Sequence, residues 1–373
     1  MTYMRYKSLT ACPPPLFNAN DDMYFLILLQ NFRQYLISRR RPPILYNFSI
    51  RSRILDNADE DEFIVNDVYS VVIQRPYEFW ILTGESTTSF QNIVIDVSQN
   101  LNLHGKEITS VQNRILLTLI WLRQYPTYTL LSMSFGISIA TVGLIIKKMW
   151  IILWEICAPN VRWPTRQEWL NRRGKWPKMP NVVGMIDGTS YEILIPSTEP
   201  QQDFYSGHRK YHCIHTQIVI CAATNTVYIT ILVIEQTVNR QMRSSGKECF
   251  LGHDNDANAY HRIGPIGPGD ALDFPPQCYI LADSIYPNGY PLVTPFKSVE
   301  IIRQTRAEKR FRRKFNILHR NRRVYVEHVI KEIKTFKVIG SLFRHPKWKL
   351  SSIVELCAGL AQRRADLLSG ELA

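Results

Sequence analysis

The stretch Val182-Val183-Gly184-Met185-Ile186-Asp187-Gly188-Thr189 decides how this sequence is read. Its apolar run has the texture of a buried strand, and a single acid, Asp187, closes it. A second stretch repeats the design: Cys278-Tyr279-Ile280-Leu281-Ala282 leads into Asp283 and Ser284. A carboxylate at the end of a buried strand stands on rigid backbone and reaches into a cleft. One such acid is usually a turn residue or a helix cap; two at matching positions suggest a shared task.

Working outward, residues 191–195, 214–222 and 227–234 also read as strands, the last two forming a hairpin through Thr224-Asn225-Thr226. Residues 246–276 are rich in Gly, Pro and Asp and read as loop with one short helix. A strand at 292–296 and two helices, 305–315 and 319–338, follow. Strands, a helix, a strand and then helices predict an α/β domain over 181–345, with a mixed sheet flanked by helices. A C-terminal helix falls within 346–373. No internal repeat is present.

Upstream, residues 1–88 read as a partly irregular lead-in. Pro13, Pro14 and Pro15 block regular structure, residues 24–36 have an amphipathic pattern, 39–43 are basic and broken by proline, and 56–62 are acidic. Residues 89–160 read as helices, and the Trp-, Pro- and Arg-rich residues 161–180 as a connector. Within the helical part, a short helix at 130–135 meets Gly136, and Ser138 caps a second helix through Ile139, Val142, Ile145 and Ile146. Helix, glycine turn, serine cap and a basic-ended helix are the parts of a helix-turn-helix, which turns Ser138 and Thr141 toward a DNA groove. A packed helical hairpin has the same parts, and the second helix is apolar for a reading head.

Composition narrows the class. The apolar fraction of 45% is that of a chain with a core. No uncharged apolar stretch reaches eighteen residues, and the best, 137–153, is interrupted by Lys147 and Lys148. Residues 1–7 lack the apolar run of a secretory signal. Seven cysteines, odd in number and never spaced C-x-x-C, argue against a disulfide framework or a zinc ribbon. Residues 297–349 hold seventeen Lys and Arg against four Glu and no Asp, an excess equal to the net +13 of the whole chain. So local an excess is the footprint of a polyanion partner, which points to DNA.

Within that segment, Arg320, Arg323, Glu327, Lys331 and Lys334 recur at spacings of three and four, on one face of a helix. Val326, Val329, Ile330, Ile333 and Phe336 form the opposite, core-facing stripe. Glu327 is thus a lone carboxylate in a ladder of cations. The plainer reading is a salt-bridged helix whose exposed pairs contribute about 0.3–0.5 kcal/mol each. The sharper one is a metal ligand beside side chains that grip a phosphate backbone. Asp187, Asp283 and Glu327 are the types that two-metal phosphodiester chemistry requires, since hard carboxylate oxygens suit two ions of Mg²⁺ or Mn²⁺.

These stretches resemble blocks of the PIF/Harbinger superfamily of DDE transposases. Val183 to Thr189 is similar to its first acidic block. Tyr205-Ser206-Gly207-His208-Arg209-Lys210-Tyr211-His212 is similar to its basic block. Leu281-Ala282-Asp283-Ser284-Ile285-Tyr286-Pro287 is similar to the second acidic block, and Arg322-Arg323-Val324-Tyr325-Val326-Glu327-His328 to the third. Residues 128–148 resemble the helix-turn-helix that the family carries upstream. The resemblance implies an RNase H-like fold and catalytic, metal-binding Asp187, Asp283 and Glu327. It also implies strand cleavage followed by joining of the freed 3′-hydroxyl to target DNA. DNA would be held by His208, Arg209, Lys210, Arg320, Arg323, Lys331 and Lys334. The resemblance further implies a nuclear protein, a Myb-like accessory partner and self-association. In one place the chain departs from the pattern: the family's Gly-x-x-His-Asp block is replaced by Gly252-His253-Asp254-Asn255-Asp256, where either aspartate fits; these residues line the cleft or cap a helix, and the cap is the favoured reading. A domesticated, DNA-binding descendant and a small-phosphoester hydrolase are the alternatives; the basic ladder speaks against the hydrolase.

Overall fold

The computed structural model describes residues 67–369, apart from 101–108, 177, 198, 223–226, 233, 236–246, 249, 253, 255 and 264. The expected features of residues 1–66 and the turn at Thr224-Asn225-Thr226 lie outside the described residues.

The helical region begins earlier than the sequence suggests. Helices α1 (Val68–Val72) and α2 (Pro76–Thr83) precede α3 (Thr87–Asn100), α4 (Val111–Gln124), α5 (Tyr128–Phe135) and α6 (Ile139–Cys157). Asp67 caps α1, and Pro76 opens α2 at a position where its missing N–H costs nothing. Helix α4 is buried on all sides from Asn113 to Arg123, so it is the pillar around which the others pack. Gly136 ends α5 in the left-handed region at φ 67°, which only glycine adopts without strain, and the axis turns by 102° into α6. Among the described residues no single helix is long and apolar enough to cross a membrane.

The sheet runs in the order β6-β5-β1-β2. Strand β1 is Val182–Glu192, β2 Tyr211–Ala222, β3 Val227–Leu232, β4 Phe250–Leu251, β5 Tyr279–Leu281 and β6 Leu292–Val293. Strands β1 and β2 are antiparallel, β5 is parallel to β1, and β6 is parallel to β5. Beyond β2, β3 pairs with its second half and β4 with its first. The mixed sheet, the flanking helices and the all-α region ahead of it form the α/β, RNase H-like architecture expected from the sequence.

Two expectations are corrected. Residues 182–186 and 191–195 are not separate strands: β1 runs unbroken through Asp187, because Gly188 and Thr189 keep their register with Gln217 and Thr216. Likewise the expected pair of C-terminal helices is one 29-residue helix, α8 (Arg306–Lys334), with no glycine or proline to break it. At 1.5 Å per residue it spans about 43 Å. Thr305 caps its start, and His319, Val326 and Ile333 are its buried line. Helix α7 is Asp256–Arg262, and the last helix, α9, is Leu350–Ser369. One hydrophobic core is continuous from α1–α6 through α8 and α9 to the sheet.

Truncating Ile333, fully buried under α8, to alanine should cost ~3 kcal/mol, read as a lower midpoint in urea unfolding. Tyr325→Ala, on the solvent side of the same helix, should change stability by less than ~0.5 kcal/mol.

Candidate active site

The parallel register of β1 and β5 brings two of the acids together. Met185 pairs with Leu281, so Asp187 and Asp283 stand two residues further along adjacent strands, at the same level of the sheet. Asp187 is held inside the strand, and its Oδ1 accepts from the Gly188 N–H at 3.1 Å. Asp283 lies just past the end of β5, and its Oδ1 accepts from the Ser284 N–H at 2.6 Å. Helix α8 packs across β1 and supplies Glu327.

The guanidinium of Arg323, one turn before Glu327, joins all three acids. Its Nη1 lies 3.1 Å from Asp187 Oδ2, an ion contact without hydrogen-bond alignment. Its Nη2 donates to Glu327 Oε1 at 2.9 Å and lies 4.0 Å from Asp283 Oδ2. The Asp187 and Arg323 side chains are each 17% exposed, while Asp283 and Glu327 are 46% and 50% exposed. The cluster therefore has a buried end at Asp187 and an open mouth at the other two. Among the described residues no group of three His, Cys, Asp or Glu side chains stands ready to hold an ion, and Arg323 contacts each of the three carboxylates.

Burial raises the Asp187 carboxyl from its usual 3.8 to about 6; Arg323 pulls the other way, and the charge of Asp256 adds to the rise. Asp256 opens α7. A Cβ placed on Gly188 would stand 1.8 Å from its Oδ1, so its carboxylate lies directly over Gly188. Asp254 is buried elsewhere and pairs with Arg262 at 2.9 Å. The sequence does not separate the two aspartates, because what distinguishes them is the packing of α7 on β2.

The expected DNA-binding residues fall into separate groups. His208, Arg209 and Lys210 form the exposed turn between Tyr205–Ser206 and β2, where Ser206 accepts from the Arg209 and Lys210 N–H groups at 3.3 and 2.7 Å. Arg320 and Lys331 are exposed on α8. Lys334 faces inward: its ammonium donates to the Ser190 carbonyl at 2.9 Å and sits 5.5 Å from the Tyr191 ring centre. Burial, aided by Arg209, lowers its pKa to about 8. In the helical region the Ser138 hydroxyl accepts from the Thr141 N–H at 3.1 Å and lies 2.8 Å from the Thr141 hydroxyl. The exposed side of α6 carries Ser138, Ile139, Ala140, Leu144, Lys147 and Lys148.

Residues 186–362 match the family model described as DDE superfamily endonuclease. The matched stretch takes in most of the sheet, all of α8 and the first part of α9. Residues 107–155 match the model described as the helix-turn-helix of the same superfamily, so α4 belongs with α5 and α6 in that unit. The endonuclease match begins in β1, one residue before Asp187, and extends into α9. The chain is also 24% identical over 255 residues to the probable transposase for insertion sequence element IS702 of Microchaete diplosiphon, covering 67% of this chain and 79% of that protein. No solved structure matches.

The raised Asp187 carboxyl fixes the sign of a pH effect in metal-free buffer. A folded-state pKa above the unfolded one favours folding at low pH, and that contribution is lost as pH rises from about 4 to about 6. Asp187→Asn should therefore raise stability at pH 7.5 by on the order of 1–3 kcal/mol and leave it nearly unchanged near pH 4. Thermal melts in EDTA read the difference. A less stable variant at pH 7.5 would mean that the attraction of Arg323 outweighs the burial of Asp187.

Proposed function

We propose that this chain is a DNA transposase that cleaves phosphodiester bonds with two divalent ions held by Asp187, Asp283 and Glu327, and joins the freed 3′-hydroxyl to target DNA. The observation that carries the reading is the convergence of these three acids from β1, from the residue after β5 and from α8 onto one guanidinium. A cation-binding group of hard oxygen donors, open to solvent at Asp283 and Glu327, suits Mg²⁺ or Mn²⁺ and a bulky polyanionic substrate. Bound there, the ions would activate the attacking oxygen and neutralise the leaving one.

The remaining roles follow from exposure and charge. Arg320, Lys331 and the turn His208-Arg209-Lys210 present cations to solvent, suited to phosphates of a duplex laid across the mouth. Lys334, with its ammonium on the Ser190 carbonyl, braces β1 against α8. Arg323 is free to contact a phosphate only once its carboxylates are otherwise neutralised. In the helix-turn-helix, Ser138 and Thr141 stand at the exposed start of α6, beside Lys147 and Lys148 further along. The four blocks in order support the PIF/Harbinger branch, and with it a nuclear location, a Myb-like accessory protein and self-association on the DNA. The relative described as a probable transposase supports element mobility as the overall role.

The test is nicking of supercoiled plasmid by the purified protein in Mg²⁺ or Mn²⁺. Cleavage should require the metal, fall at least ~10³-fold in Asp187→Ala and Glu327→Ala, and vanish in EDTA. Duplex binding should survive both substitutions and weaken steeply with salt. Equal cutting by all three proteins would assign the activity elsewhere. Binding without cutting by the wild type would favour a domesticated DNA-binding protein.

A further inference from the structure

The stretch Pro346-Lys347-Trp348-Lys349, between α8 and the start of α9, takes no part in the active site. Its Trp348 is 61% exposed, while the other seven tryptophans are buried or half-buried. An indole left in water forgoes one of the largest gains that burial offers, so its place calls for a reason. The segment that carries it is pinned on both sides. The Arg344 N–H donates to the Tyr125 hydroxyl at 2.8 Å, and the Arg344 guanidinium donates to the Tyr125 carbonyl and lies 4.0 Å from that ring's centre. The His345 ring packs against Trp121, Tyr125 and Tyr128, with centroids 5.3, 5.8 and 6.2 Å away. Lys347 pairs with Glu199 and sits 4.0 Å from the Phe204 ring centre, and the fully buried Leu350 begins α9. One turn of 3₁₀-helix, Lys347–Lys349, therefore holds the indole out in solvent on a fixed base.

That base lies beside α6. The Tyr128 ring, on which His345 packs, stands 3.6 Å from where a Cβ on Gly143 would be, and Lys147 follows one turn further along the helix. Burial, and then the nearby charge of Lys147, lower the pKa of Lys349. The Lys349 ammonium is 5.1 Å from the Trp348 ring centre, and Lys147 and Lys148 are exposed. An exposed indole thus stands among cations, next to a helix already read as facing DNA. The centre of a protein-docking face is depleted in lysine. An aromatic ring interleaved with lysines suits a polyanion that also offers flat rings.

We propose that Arg344–Lys349 is a second arm of the DNA surface formed by the helix-turn-helix: Trp348 packs its ring on DNA beside the stretch held by α6, and Lys349 and Lys147 take the neighbouring phosphates. The proposal rests on the DNA-binding reading above. It gives the aromatic packing around His345 a task as well, since those contacts hold the arm against α5 and α6.

Acrylamide quenching of tryptophan fluorescence in the full chain, with and without a mixed-sequence duplex or a single-stranded oligonucleotide, tests it. Without DNA, acrylamide should reach a fraction of the emission that is missing in Trp348→Phe, and bound DNA should shield that fraction. Trp348→Ala should weaken DNA binding by about 10–100-fold with an unchanged salt slope and melting temperature, while Trp348→Phe should keep most of the affinity. Lys349→Gln should instead lower the salt slope by about one. A Trp348→Ala variant that binds both DNAs as tightly as the wild type overturns the proposal and leaves the DNA reading standing. Should that variant fail to fold, unshielded Trp348 emission in the wild-type complex overturns the proposal by itself. Trp348 emission that is already shielded without DNA, and exposed on dilution, would mark a contact between copies of the chain and overturn it too. A wild type that binds no DNA removes the DNA reading and this proposal together.

Discussion

Carboxylates gathered at one level of a sheet repel one another, and in this fold the charge that allows it is the guanidinium of Arg323. Two like charges 4 Å apart repel by about 4 kcal/mol at the effective dielectric of a protein surface. The planar fork of arginine meets Asp187 with one nitrogen and Asp283 and Glu327 with the other. A lysine, with a single point charge, does not span these positions. Everything else in the site serves this geometry: the parallel β1–β5 register sets the two aspartates level, and α8 must cross β1 at one rotation for Arg323 and Glu327 to face them.

That rotation is fixed by the far side of the helix. His319, Val326 and Ile333 form the buried line, and a change of phase by one residue would bury Arg320 and Glu327 instead. The C-terminal end is anchored in the helical region. Arg364 on α9 pairs with Glu332 at 2.9 Å and lies 3.5 Å from the fully buried Glu85 between α2 and α3. Arg123 on α4 donates to Thr335 just past α8, and burial lowers its own pKa to about 10. The helical region and the sheet are thus joined by a continuous core and by buried charges.

Much of this was legible in the chain. The apolar runs ending at Asp187 and Asp283 identify the first two acids, because buried strands and their closing residues leave a period-free apolar signature. Glu327 and its core stripe follow from helical spacing. Strand continuity was not legible: Gly188 and Thr189 read as a break, yet ladder pairing with β2 carries β1 through them. Nor does the sequence reveal what a cation faces. Arg323 and Lys334 sit in the same ladder as Arg320 and Lys331, but one lies between carboxylates and the other against a backbone carbonyl. Nor does the sequence separate Asp254 from Asp256, since the contact of Asp256 with Gly188 is tertiary and no local spacing encodes it. Helices α1 and α2 were missed because each is too short to show a period.

In the metal-free protein Arg323 neutralises the three acids. Thermal stability of Arg323→Ala against wild type, at pH 7.5 with EDTA and then with Mn²⁺, tests it most directly. Removing one partner strands a largely buried Asp187, so the variant should lose on the order of 1–3 kcal/mol without metal. Mn²⁺ should restore most of that loss and stabilise the variant more than the wild type. No loss in EDTA, or an equal gain from Mn²⁺ in both proteins, would contradict the account.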